Sequence, residues 1–218
     1  MLDDGALRLS VVAAQSNRIA CRICVGRVLP ERSGLNVPAV PLALPALTAK
    51  DLSDLDAIGQ LPVDFVYLSY VESAADIAHL REALIARRLD LPIVAKVDRQ
   101  VAVQRLPEIA AAADAICLAR GDLGVEVALA DIPFVQRAAV AQTHAAGKPF
   151  ILAGEVLYAM VGRQIPACAE LTDVVTAVEQ GVPGFILSDE TAVGVAPAVA
   201  VRTLRSLIEA ITARLGQA

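Results

Sequence analysis

Five short runs dominated by apolar residues recur along the chain at 64–70 (DFVYLSY), 92–97 (PIVAKV), 115–119 (AICLA), 149–153 (PFILA) and 184–188 (GFILS). Strands that are apolar without alternation must be covered on both faces, which is the situation of a parallel sheet flanked by helices. Helical patterns fill the intervals, near 51–59, 74–89, 100–112, 131–146, 170–180 and 197–214. Gly147 and Gly181 stand where two of these helices should end, as glycines just past the last turn. The reading is an α/β chain with five parallel βα units. A closed (β/α)8 barrel needs eight strands, whereas five can also form an open, flavodoxin-like sheet. The residues at the strand ends favour a partial TIM barrel.

The N-terminal part has a different texture. Residues 6–13 (ALRLSVVA) and 18–28 alternate partially around Gln15, Ser16 and Asn17, a β-hairpin signal. Residues 30–45 carry four prolines with Gly34 and Asn36 and read as a crossing loop. The expected division is a partial β domain over 1–36 and a partial (β/α) domain over 37–218.

Composition removes several classes. Apolar residues make up 56% of 218, enough for a large core, but a spanning helix needs roughly 18 consecutive apolar residues. The run at 37–47 is broken by Pro38, Pro41 and Pro45, and that at 109–119 by Asp114, so no membrane span is expected. A net charge of −5 with 3% aromatics and no Trp argues against nucleic acid as a partner. Met1 is followed by Leu2, Asp3, Asp4 and Gly5 rather than a basic and then apolar stretch, and four scattered cysteines suit a reducing compartment. The expected location is the cytoplasm. Cys21 and Cys24 form a C-x-x-C, but on a strand with no second ligand pair they read as ordinary small residues. His79 and His144 fall within helical patterns, and neither is assigned a catalytic role.

In a barrel the chemistry sits at the C-terminal ends of the strands. The second unit ends in Lys96, Val97 and Asp98, and residues two apart on a strand share a face. The third ends in residues 119–124 (ARGDLG). With neighbouring strands about 4.8 Å apart, Asp98 and Asp122 could bracket one cation, with Lys96 alongside. Two carboxylates, with substrate and water completing the shell, suit Mg²⁺ or Mn²⁺. Gly121 and Gly124 would free backbone N–H groups at a turn for an anionic substrate. Taken singly, Lys96 could be a surface cation and Asp122 a helix cap.

Residues 119–126 (ARGDLGVE) resemble the metal-site motif of the pyruvate kinase family. Other segments follow in family order: 3–7 (DDGAL) like the middle of its lid domain, 33–38 (SGLNVP) like the return from lid to barrel, then 44–51 (LPALTAKD), 146–149 (AGKP) and 187–192 (LSDETA). The resemblance runs from Asp3 to about Ile211. It implies phosphoryl transfer between phosphoenolpyruvate and ADP, giving pyruvate and ATP. Lys96 matches the lysine that neutralises the transferring phosphoryl group, Asp122 a ligand of the divalent ion, and Asp98 the place of its glutamate ligand. Backbone at Gly121 and Asp122 matches the substrate-carboxylate cradle, and Ser188 and Glu190 match supporting positions. Gly154 stands where the family has a substrate-contacting threonine, and Glu155 where it has a glutamine. Cys168 and Ala169 lie in a loop that keeps Pro166 and Glu170 but has lost its threonine and arginine. Asp189 replaces a glycine, which would strain a turn if its φ were positive. The family's first three barrel strands, half its lid, its C-terminal domain and its K⁺ ligands have no counterpart here. The expectation is therefore a truncated kinase-type chain, inactive alone, that forms an oligomer or needs an N-terminal segment. Two alternatives are a non-catalytic binding or regulatory protein using open barrel edges, and a metal-dependent lyase or decarboxylase of 2-oxo acids.

Overall fold

The structure is a computed structural model describing residues 1–2, 5, 7–26, 28–29, 31, 33–38, 40 and 45–216. The expectations placed on Asp3, Asp4, Ala6, Pro30, Pro41 and Leu44 lie outside the described residues.

The hairpin forms from β1 (Arg8–Gln15) and β2 (Arg18–Val25), antiparallel, with Gln15 opposite Arg18 and register shifts that mark irregular pairing. Apart from half-buried Leu9, both strands are exposed. Cys21 and Cys24 are exposed free thiols on β2. At the hairpin's base Met1 and Asn36 exchange backbone hydrogen bonds.

The larger body begins at α1 (Ala49–Ile58). Thr48 starts it: its hydroxyl accepts from Asp51 N, while its own N–H donates to the Asp51 carboxylate. Then follow β3 (Val66–Leu68), α2 (Ala74–Ala86), β4 (Ile93–Val97), α3 (Gln100–Gln104), α4 (Leu106–Ala112), β5 (Ala115–Ala119), α5 (Arg120–Glu126), α6 (Ile132–Ala145), β6 (Phe150–Ala153), α7 (Cys168–Glu179), β7 (Gly184–Ile186), α8 (Asp189–Ala192) and α9 (Pro197–Leu215). The five later strands form one parallel sheet in sequence order, an arc of a (β/α) barrel.

Alternation along these strands divides the core. Ile93, Ala95, Val97, Ile116, Leu118, Phe150 and Leu152 point outward under α2, α4 and α6. Val94, Ala115, Cys117 and Ala153 point inward, with Tyr67, Ile151 and Ile186 packed against them.

The elements differ from expectation mainly at their ends. The pattern over 100–112 is two helices, because Pro107 sits in the first turn of α4 and supplies no N–H to continue α3. β3 is shorter than 64–70: Tyr70 turns into the left-handed region at φ 56°, and β3 pairs on only one side among the described residues. Gly147 (φ 67°) and Gly181 (φ 89°) do end α6 and α7. Asp189 opens α8 and is not among the positive-φ residues, so the strained turn does not occur.

β7 is closed off by Glu190. Its carboxylate is 1% exposed and accepts from Ser188 N at 2.8 Å and Leu157 N at 3.0 Å, joining the ends of the last two units. Removing it leaves the buried Leu157 N–H and the part-buried Ser188 N–H without that partner. Glu190→Ala should lower the unfolding free energy by about 3 kcal/mol, as read by urea denaturation.

Candidate active site at the strand ends

β4 carries Lys96 inward, and Asp98 follows its last residue. The Lys96 ammonium is 3.5 Å from Asp98 Oδ1 and 4.0 Å from Asp122 Oδ2. Lys96 and Asp98 therefore reach the same side of the sheet, and Asp122 approaches from the next unit. Asp98 is 1% exposed. One of its oxygens accepts from Tyr70 N at 2.9 Å, and the left-handed turn at Tyr70 aims that amide. Its other oxygen makes no hydrogen bond, leaving lone pairs directed at the space beside Lys96.

Residues 120–126 are a seven-residue helix, α5, in place of the expected turn. Asp122 lies in its first turn. Gly121 and Gly124 have ordinary negative φ, and a Cβ at Gly121 would meet nothing within 4 Å. α5 separates two clefts. One, about 740 Å³, has Tyr67, Glu72, Arg99, Asp122 and Glu126 among its walls. The other, about 670 Å³, is lined by Arg8, Arg120, Gly121, Glu155 and Asp173 among others.

Gly154 follows β6 at φ 88°. A Cβ there would stand 2.8 Å from Gly121 N and 3.3 Å from Arg120 N, so this glycine is required both by its dihedral and by the close approach of two backbones. Arg120 fastens the contact, donating to Gly154 O at 2.9 and 3.1 Å and to Glu155 O at 3.2 Å while pairing with Asp173 at 2.6 Å. Glu155 is itself left-handed at φ 52°.

Cys117 lies beneath Lys96, opposite it in the β4–β5 ladder. Burial pushes its thiol up to about 12, Lys96 opposing the shift and Asp98 adding to it. Among the described residues no three His, Cys, Asp or Glu side chains gather as a complete metal shell. The pair does fit a hard divalent ion that keeps water or substrate ligands: both donors are carboxylates, and one presents a buried oxygen without a hydrogen bond.

Arg99, Glu126, Glu72 and the Tyr70 amide were missed by the sequence reading. The first two adjoin residues it did single out, since Arg99 follows Asp98 and Glu126 closes the ARGDLGVE run.

An arc of parallel strands with its charged groups gathered on the C-terminal rim defines a partial TIM barrel. The family described as pyruvate kinase, barrel domain, matches residues 1–201. The chain is 38% identical over 213 residues to a pyruvate kinase of Mycobacterium tuberculosis, covering 97% of this chain and 45% of that one. A pyruvate kinase of Corynebacterium efficiens is 36% identical over 208 residues (95% and 44%), and one of Thermococcus litoralis 35% over 206 (94% and 43%). The chain belongs to the pyruvate kinase family, and it spans less than half the length of these curated relatives.

Three outcomes are expected. Iodoacetamide at pH 8 should modify exposed Cys21, Cys24 and Cys168 and spare Cys117, whose label appears only on unfolding, as read by peptide mass spectrometry. The same thiol gives a pH dependence of known sign. An unfolded Cys117 ionises near its ordinary 9.0 while the native one keeps its proton to about 12, so its contribution to stability falls as pH rises through that window. Separately, Gly154→Thr should cost at least about 2 kcal/mol in denaturation, because a β-branched residue is forced to positive φ against a neighbouring backbone.

Proposed function

We propose that this chain supplies the metal and enol-phosphate half of a pyruvate kinase-type site, for phosphoryl transfer between phosphoenolpyruvate and ADP that yields pyruvate and ATP. The observation that carries the proposal is the Lys96 ammonium standing between the Asp98 and Asp122 carboxylates at the ends of adjacent units. In this reading residues 1–36 are the lid part and 37–218 the barrel part. The setting is the cytoplasm, a reading supported by four free cysteines.

Asp98 and Asp122 would hold Mg²⁺ or Mn²⁺, which supplies positive charge to enolate and phosphoryl oxygens when bound. Lys96 reaches the same space and neutralises the transferring phosphoryl group, the electrostatic role that dominates phosphoryl transfer. Gly121, whose backbone faces the 670 Å³ cleft across α5 from Asp122, would receive the substrate carboxylate, with Gly154 packed against it. Residues outside this chain would complete the phosphate and nucleotide contacts and provide for K⁺.

A second reading, a non-catalytic binding protein, is favoured by one observation. Val11, Val12, Ile19 and Ile23 on the hairpin are each at least 60% exposed, an apolar surface that a partner could cover.

The polypeptide extended to the length of its relatives should form pyruvate from phosphoenolpyruvate and ADP with Mg²⁺, in an assay coupled to lactate dehydrogenase. Lys96→Met should lower kcat roughly a thousandfold. No turnover in the extended protein, with Gly154 intact, would overturn the kinase reading in favour of the binding protein. In the present chain, Mn²⁺ titration followed by electron paramagnetic resonance should show one site, which Asp122→Ala weakens by at least the roughly tenfold that loss of even an outer-shell partner costs.

A further inference from the structure

We infer that Arg99 is a positioning residue, holding Asp98 and Asp122 at the separation a divalent cation requires; the inference rests on the metal reading above. Arg99 directly follows Asp98, and its side chain is only 12% exposed. The guanidinium reaches three segments. One nitrogen donates to the Glu72 carboxylate in the loop after β3. A second lies 3.7 Å from Glu126 Oε2 at the end of α5. The third donates to Val40 O at 3.2 Å in the segment that follows the hairpin.

Both glutamates lead back to the candidate ligands. Glu126 lies one helical turn beyond Asp122 on α5, so fixing it fixes the rotation and depth of the helix that presents Asp122. Glu72 lies two residues after Tyr70, whose amide holds Asp98. The Glu72 N–H and the Ser73 N–H both donate to Asp76 at 2.9 Å, which anchors that loop to α2. Arg99 therefore closes one ring through Tyr70 to Asp98 and another through α5 to Asp122. Glu126 is 5% exposed, so this is not a solvated surface pair. A carboxylate so withdrawn from water needs its cation. The planar fork matters as well as the charge, because a single ammonium cannot address three acceptors in different directions.

Electrostatics separates positioning from simple charge. Arg99 is a positive group beside a cation site, so by Coulomb's law alone neutralising it should tighten Mn²⁺ binding. If Arg99 positions the ligands, neutralising it should loosen binding.

The test is Mn²⁺ titration by electron paramagnetic resonance on the parent chain, Arg99→Gln and Arg99→Lys, with far-ultraviolet circular dichroism showing that each variant is folded. Arg99→Gln should bind Mn²⁺ roughly tenfold more weakly, the scale seen when support of a metal ligand is lost. Arg99→Lys keeps the charge, so it leaves no glutamate buried without a cation, and it should bind about threefold more weakly for want of the fork. If Arg99→Gln does not fold, Arg99→Lys decides. Folded variants that bind Mn²⁺ as tightly as the parent, or more tightly, overturn this inference alone. A parent chain that binds no Mn²⁺ overturns the metal reading and this inference with it.

Discussion

Side chains on neighbouring strands of a parallel sheet meet only if the ladders run in register, and the candidate site depends on that register from β4 to β6. Lys96 pairs with Cys117, Val97 with Leu118 and Ala119 with Ala153. Asp98 is thus one residue past the end of one strand, while Arg120 and Gly154 each follow a residue of the last paired step. A slip of one residue would turn every inward side chain outward. Large outward residues, Ile93, Ile116, Leu118, Phe150 and Leu152, oppose the slip by filling the layer beneath the helices. A polar lock at the opposite rim adds to this. Asp114 N donates to Ile93 O, and the Asp114 carboxylate accepts from Ile93 N and from Arg81, each at 2.8 Å. Burial alone would raise that carboxyl, but Arg81, the Ile93 amide and the charge of Lys148 outweigh it and hold it below its usual range.

The opposite, C-terminal rim gathers charge around a buried carboxylate, Asp98, which is 1% exposed. Two unit charges 4 Å apart interact by about 4 kcal/mol at an effective dielectric of 20, so the Lys96 contacts are strong enough to offset much of the cost of burying Asp98. A divalent ion held by Asp98 and Asp122 would compete with the Lys96 ammonium for those carboxylates.

What the sequence made legible follows from what periodicity encodes. Strands β4 to β6 were readable because burial on both faces leaves only apolar residues to choose from. Lys96, Asp98 and Asp122 were visible as exceptions to that rule at the strand ends. The break at Arg105 and the helical form of 120–126 were not read, because composition over a few residues does not distinguish a short helix from a turn. Arg99 stayed hidden for a different reason. Its meaning lies in reaching Glu72, Glu126 and Val40, which are 27, 27 and 59 residues away along the chain, and no local pattern records such a meeting.

The departures at 154 and 155 are one structural event rather than two substitutions. Against its family, Gly154 reads as a threonine with its hydroxyl deleted, and Glu155 as an added charge. In the fold, both residues are left-handed, and Arg120 donates to both their carbonyls. Two successive residues at positive φ turn the chain sharply after β6 and bring it down onto Gly121 N, the approach that excludes a Cβ at 154. The Glu155 side chain is then exposed on the rim of the 670 Å³ cleft. A threonine at 154 alone would therefore stand at positive φ against Gly121 N, in a turn that Arg120 holds and that Asp173 holds through Arg120.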